Sequence, residues 1–276
     1  MRRRGLTAAL FGLALVGLAL PLGLVAELVV RAMPVLSWRF LLEPARELEP
    51  GGGVGPELVN TLVMVGGALA TSVPLGLAAA ILRVEYLRAG RWAEALETAA
   101  TLLAALPSVV VGLGVFVFLV GGLHWPFSRL TGTVALFVLN VPWVAQTAMA
   151  ALARVPDTLR EASLALGATR FQTVVRVVLP WAWPALATGI GIGAARLLGE
   201  SAALIFSAGV NAGGGGIWAP GATLAVHLWY VRTEGLMPDA DHVAAATGVV
   251  LLALVSLGLA LGYGLAAMLS RRAGMR

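Results

Sequence analysis

The chain has 276 residues, 59% hydrophobic and only 12% charged, with a mean hydropathy of +0.90 and a formal net charge of +5. Soluble domains carry about 25% charged residues, so a soluble fold is excluded, and several apolar runs reach the roughly 20 residues an α-helix needs to cross a ~30 Å hydrocarbon core. Every one of the 19 basic residues is arginine and there is no cysteine, which excludes a Walker-type phosphate loop, a Schiff-base lysine, disulfides and thiol chemistry.

The composition therefore predicts an all-α membrane protein. No alternating ten-residue strand pattern appears, as a membrane β-barrel would need. The three histidines, His124, His227 and His242, are scattered without a metal-binding pair, and no metal or other cofactor is expected. The arginines cluster between apolar runs, which is the positive-inside pattern rather than the footprint of a nucleic-acid binder.

In chain order, Met1-Arg2-Arg3-Arg4 precedes a first apolar span over about residues 6–30. This run is longer than a signal-peptide core and lacks a clear cleavage site, so it reads as an uncleaved anchor. Residues 31–56, rich in Pro, Gly and Glu, form an external arm. The second span covers about 57–82, with Pro74 inside it. A short loop with Arg83, Arg88 and Arg91 leads to a third span over about 95–121, which contains Pro107-Ser108. Its exit loop carries Trp125, and a fourth span covers about 132–152.

The loop from Arg154 to Pro180 holds Arg154, Arg160, Arg170 and Arg176. The fifth span is expected at about 183–208. A second external segment, 209–241, contains the Gly213–Gly216 run and an amphipathic stretch around Leu224–Val231. The sixth span covers about 243–269, and Arg271, Arg272 and Arg276 close the chain. With the amino terminus inside, 13 of the 19 arginines fall in cytoplasmic segments. The coherent solution is six transmembrane helices with both termini cytoplasmic.

The loop between the fourth and fifth spans has internal punctuation. Thr158 and Glu161 have the spacing of a capping box, predicting a helix that starts near Leu159. Gly167 supplies the left-handed position that ends it after about two turns. Thr169 and Gln172 form a second box, predicting another helix that ends at Leu179-Pro180. Leu159, Ala162, Ser163 and Leu166 recur at helical spacing and share one face. A helix this short is marginal alone in water, so it needs a partner surface, or it is simply an interfacial helix joining two spans.

In the predicted fifth span, Arg196 and Glu200 lie four residues apart and hence on one helical face. A charge near the bilayer centre is costly, so it faces the bundle interior or a wet cavity. Two readings stand open. The pair is a self-neutralising ion pair, or Arg196 lines an anion path with Glu200 positioning the guanidinium or repelling the anion onward. The Gly189-x-x-x-Gly193 pair before them allows another helix to pack closely.

Glu161-Ala162-Ser163, three residues, Gly167, nine residues and Val177-Val178-Leu179-Pro180 resemble the EAA loop of bacterial ABC importer permeases, departing from it at Ser163 and Val177. The segment GIGIGAARLLGESAAL, 189–204, resembles the A-R-x-x-G-E-T-A-P-L stretch of phosphate importer permeases, with Ser201 and Ala203 departing. Ala105–Val111, Val84-Glu85-Tyr86 and the Gly51-Gly52-Gly53 arm match that family too. The one-chain length with a short anchor looks like a PstA subunit rather than PstC.

The resemblance implies a type I ABC importer permease fold with a cytoplasmic EAA coupling helix. It implies a multi-pass subunit of the bacterial inner or plasma membrane that is not itself an enzyme. Its domains would be an anchor and arm (1–56), a permease domain (57–270) and a cytoplasmic tail (271–276). Leu159, Glu161, Ala162, Ser163, Leu166 and Gly167 would couple to the ATPase, and Arg196 and Glu200 would line the path of inorganic phosphate. The implied partners are a PstC-like second permease, a PstB-like ATPase dimer, a PstS-like external phosphate-binding protein and membrane lipid. A permease for another oxyanion, molybdate or sulfate, shares these features. A membrane hydrolase fits poorly, because Ile205–Gly209 misses the first glycine of a nucleophile elbow. A free-standing channel leaves the EAA loop without a role.

Overall fold

The computed structural model describes residues 2–46, 48–87 and 90–272; the predicted loop and tail arginines Arg88 and Arg276 lie outside them. The described residues are mostly helical, and their one extended pairing is an isolated antiparallel bridge between Ala45 and Gly52. The chain divides into two units, Met1–Pro56 with His227–Val250, and Glu57–Val226 with Leu251–Arg276.

In the first unit, α1 (Arg2–Ala32) presents leucines and valines outward between Leu10 and Val30, as a lipid-facing helix should. The arm after it is ordered by α2 (Trp38–Leu42), whose N-cap Ser37 accepts from the Phe40 N–H. Gly51 donates its N–H to Asp239 at 2.9 Å, and a side chain at Gly53 would collide with the carbonyl oxygens of Phe40 and Glu43. The glycine run is thus an arm folded back on itself.

The second unit holds the bundle. Its helices are α3 (Gly55–Ile81), closed by a π turn at Leu82–Tyr86, α4 (Arg91–Ala104) and α5 (Ser108–Val115), extended by a π turn at Phe116–Gly122. Then come α6 (Arg129–Ala153), α7 (Asp157–Ala165), α8 (Arg170–Thr173), a π turn at Val174–Val178, α9 (Leu179–Leu198) and α10 (Ala202–Ile205). Two helices pass between the units along the chain, α11 (Leu224–Glu234) and α12 (Ala240–Arg272).

Among the described residues, five helices are long and apolar enough to cross a membrane, and the bent pair α4–α5 makes a sixth if counted as one span. The predicted third span corresponds to this bent pair. It breaks by 96° between α4 and α5. Pro107 sits at the N-cap of α5 in an extended conformation, and proline disfavours a helical residue before it. The amphipathic α4, with Arg91, Glu94 and Glu97, is a different kind of element from the wholly apolar α5.

Packing in the bundle uses small residues, as expected where lipid gives no hydrophobic drive between helices. One core cluster gathers Ala80, Ala145, Ala148, Leu152, Val178 and Ala182 near the α7 end. Another gathers Met64, Ala68, Leu136, Leu197 and Leu204. A side chain at Gly189 would strike Thr147, and one at Gly193 would lie 3.0 Å from Trp143, so the Gly189-x-x-x-Gly193 face receives α6. On another face of α9, Gly191 meets Gly262 of α12. Across α3 and α6, Asn140 donates from Nδ2 to the Ser72 hydroxyl at 2.7 Å, a buried polar bond in an apolar layer.

Candidate functional site

The loop between α6 and α9 carries the first set of candidate residues. α7 starts at Asp157, two residues earlier than predicted. Pro156 occupies the N-cap and no side chain caps the helix, so the Thr158–Glu161 box does not form. Proline needs no partner at that position and fixes the entry angle, leaving Thr158 inside the first turn.

The stop is as predicted. Gly167 has φ +85°, its N–H bonds to Leu164 O at 2.9 Å, and the Ala168 N–H bonds to Ser163 O at 3.2 Å. This paired pattern is the Schellman closure that glycine permits. The Thr169–Gln172 capping box also forms. The helix it starts does not end at Leu179-Pro180, however. It continues through the π turn at Val174–Val178 into α9 as one 29-residue span, Arg170–Leu198. A wide turn directly before Pro180 relieves the clash of its ring with the preceding carbonyls, so the helix bends around the proline rather than stopping.

Leu159, Glu161, Ala162, Leu166 and Gly167 are exposed, with Leu166 90% accessible. Ser163 keeps its helical register with Leu159 but does not share the exposure of that face. It is half-buried, and its hydroxyl lies 3.0 Å from that of Thr173, turning it toward α8. Leu164 and Phe171 are two further exposed apolar residues of this loop, Leu164 on the other side of α7 from Ala162 and Leu166. Phe171 belongs to the next helix, so no single-helix periodicity could have pointed to it.

The second set lies at the end of α9. The fifth span was expected to run through residue 208, but α9 stops at Leu198 and Gly199 turns the chain out. Arg196 therefore occupies the last turn, where its cation complements the helix C-terminus. Glu200 is beyond the helix, and its Oε1 accepts from the Ala203 N–H at 3.1 Å, capping α10. The two charges do not share a helical face, and among the described residues no ion pair joins them. The guanidinium of the exposed Arg196 instead stands 5.5 Å from the ring centre of Trp143, a cation–π arrangement. Trp143, 53 residues away on α6, was not foreseen. A tryptophan three residues after Asn140 in mid-span was its only trace in the sequence.

Ser207, the serine of the weak elbow match, is fully buried and donates to Ala203 O at 2.9 Å, as a structural hydroxyl does. Among the described residues, no group of three His, Asp or Glu side chains is placed to hold a metal ion.

Residues 72–274 match the family described as "Binding-protein-dependent transport system inner membrane component". The chain belongs to this family. The Probable ABC transporter permease protein YqgI of Bacillus subtilis is 31% identical over 261 residues, 89% of each chain. The Phosphate transport system permease protein PstA 1 of Mycobacterium tuberculosis is 37% identical over 174 residues, which is 63% of this chain and 57% of that relative. A bacterial alginate ABC transporter in complex with its pentasaccharide-bound periplasmic protein matches in fold with a TM-score of 0.67 over 98% of this chain and 95% of that one, at 16% identity. The inward-facing MetNI methionine ABC transporter matches with a TM-score of 0.60 over 79% and 94%, at 22% identity. The fold is that of type I ABC importer permeases, and the family is a transport component rather than a catalytic class.

Proposed function

We propose that this chain is a PstA-type permease subunit that passes inorganic phosphate across the bacterial inner or plasma membrane, driven by a separate ATPase. The reading has the α7 end and both termini in the cytoplasm, where most arginines cluster. Its partners are a second, PstC-like permease, a PstB-like ATPase dimer and a PstS-like external phosphate-binding protein. Leu159, Ala162 and Leu166 form the face of α7 that docks on the ATPase, with the exposed Phe171 of the next helix joining it, Glu161 contributing and Gly167 fixing the end of α7.

The observation that carries the anion reading is Arg196, an exposed guanidinium without a carboxylate partner among the described residues, held over Trp143 at the end of a span. An arginine fork suits phosphate oxygens. The resemblance of 189–204 to phosphate permeases, and the PstA relatives, favour phosphate over molybdate or sulfate. Glu200 contributes by capping α10, which keeps the break that presents Arg196.

The test is uptake of labelled phosphate by the assembled complex in proteoliposomes, with molybdate and sulfate as competitors. Phosphate uptake resistant to both is expected. Arg196→Gln should lower uptake at least tenfold, roughly the loss of one charged hydrogen-bond partner, with Arg196→Lys recovering only part of it. Transport of molybdate or sulfate in preference to phosphate would replace the substrate assignment. Undiminished uptake in Arg196→Gln would remove Arg196 from the path.

A further inference from the structure

Among the described residues of α7, Arg160 alone is buried, at 5% exposure. All five of its N–H groups are engaged. Nε lies 3.1 and 3.2 Å from the two carboxylate oxygens of Glu85, and Nη2 donates to Glu85 Oε1 at 2.8 Å and to Leu152 O at 2.9 Å. Nη1 donates to Val155 O at 2.5 Å and to Asp157 Oδ1 at 3.2 Å. Leu152 O lies in the last turn of α6, where it also accepts from the Val155 N–H at 3.2 Å, and Val155 follows the helix's C-cap, Arg154; a cation is favourable at that end. Glu85, 6% exposed, belongs to the π turn that closes α3. The same turn is tied on its other side, where Arg83 bonds to Glu97 of α4 through Nε at 3.1 Å and Nη2 at 2.7 Å.

We propose that Arg160 and Glu85 are positioning residues of the transport cycle, a clamp that makes α7 move as one body with the ends of α3 and α6. The proposal rests on the reading of α7 as the ATPase docking helix. A nine-residue helix is too short to hold its own shape in water, and the rest of its surface is exposed or, at Ser163, only half-buried. The buried charged contact that ties it to the ends of α3 and α6 is this fork, beside the Ser163–Thr173 hydroxyl contact to α8. Apolar contacts slide over one another at little cost, whereas a bidentate guanidinium–carboxylate pair fixes both distance and angle. Burying two charges is a poor route to stability compared with a well-packed apolar pair. A rigid joint between a driven helix and two spans is a role that an apolar pair would not fill. Arg160 directly precedes the Glu161 of the docking segment, so one turn presents a residue to each side of the joint.

The experiment uses the complex with its ATPase and binding protein, reconstituted in proteoliposomes, with Glu85→Gln and Arg160→Lys introduced separately. Gln keeps the volume of Glu85, and Lys keeps the charge of Arg160 without its fork. ATPase co-purification and ATP hydrolysis are expected to persist, while inorganic phosphate imported per ATP hydrolysed falls roughly tenfold. An unchanged ratio, with uptake and hydrolysis falling together per assembled complex, identifies a stability pair and overturns the proposal. A second readout is independent of substrate. Because the chain has no cysteine, spin labels at Thr158→Cys and Leu82→Cys, in a complex assembled with cysteine-free versions of its partners, report the α7–α3 distance alone. One narrow distribution, the same with and without ATP, is expected in the otherwise wild-type complex, and a broadened one in Glu85→Gln. A distance that changes with ATP before the clamp is altered, or stays narrow after, also overturns it. The docking reading is judged separately. If Leu166→Asp with Phe171→Asp leaves ATPase co-purification intact, α7 is not the dock, whatever the clamp variants show.

Discussion

At the scale of single residues, backbone conformation decides more than side-chain chemistry does. Gly167 sits at φ +85°, where a residue with a Cβ is strained by about 1–2 kcal/mol and a β-branched one by more. Gly167→Val is expected to insert normally but to lose most ATPase co-purification, because the Schellman closure that orients α7 is broken. Gly167→Asn, which tolerates the left-handed region, should retain much of it. Equal co-purification for both variants would show that the end of α7 does not matter for docking. Glu200 makes a different demand. Its carboxylate caps α10, so Glu200→Ala should cost about 1 kcal/mol in thermal stability in detergent, while Glu200→Gln, which keeps an acceptor, should cost little. Because Arg196 and Glu200 are not paired, their effects should add. Recovery of uptake in the Arg196→Gln/Glu200→Gln protein would revive the ion pair that the structure lacks.

At the scale of elements, five spans were readable from apolar length alone, each within a few residues of its helix except the fifth. The misreadings all lie where local backbone devices overrule periodicity. Pro107 breaks a continuous apolar run, Gly199 and Glu200 end α9 early, and the π turn before Pro180 lets a helix continue where proline usually stops one. The candidate site was legible to the extent that it was local. Gly167 and the Thr169 box stood out in the sequence, whereas Trp143, Phe171 and the Glu85–Arg160 pair depend on contacts between distant segments. Packing of α5 on α10 is similarly long-range. A side chain at Gly112 would come within 2.6–3.0 Å of Ala203 backbone atoms, which cannot yield as a flexible side chain would. Gly112→Ala should therefore destabilise the protein by about 1–3 kcal/mol, read as a lowered melting temperature in detergent, whereas Gly114→Ala, whose Cβ meets nothing, should not. In α11, burial pushes His227 down to about 4 from its usual 6.5. A histidine buried neutral stabilises fully above the unfolded value, and that contribution is lost as pH falls from 6.5 toward 4. At about 1.4 kcal/mol per pH unit of separation, the loss is about 3 kcal/mol. Melting temperature should fall over this window, and His227→Gln should flatten that fall.

At the scale of the whole molecule, the surface is as informative as the core. Large apolar side chains are exposed on α1, on the far face of α12 and along α5, where the membrane or a companion subunit would cover them. Leu166 and Phe171 are a different case, because they stand close in sequence to the arginines of the segment that joins α6 to α9. Such a patch calls for a protein partner. The energy source belongs with that partner as well. A nucleotide site of the Walker type needs a lysine on the phosphates, and this chain has none. The four glycines at 213–216 do not substitute for it. Three of them hold positive φ in a loop whose Gly216 carbonyl accepts from the Arg129 guanidinium at 3.3 Å. The chain purified alone should therefore hydrolyse no ATP above the level of a mock preparation, while the same protein co-purified with its ATPase should do so. The measurement is phosphate release from a preparation shown by mass spectrometry to contain this subunit only. ATP turnover in that preparation, persisting after removal of trace ATPase, would mean that the division of labour between membrane and motor subunits fails for this protein.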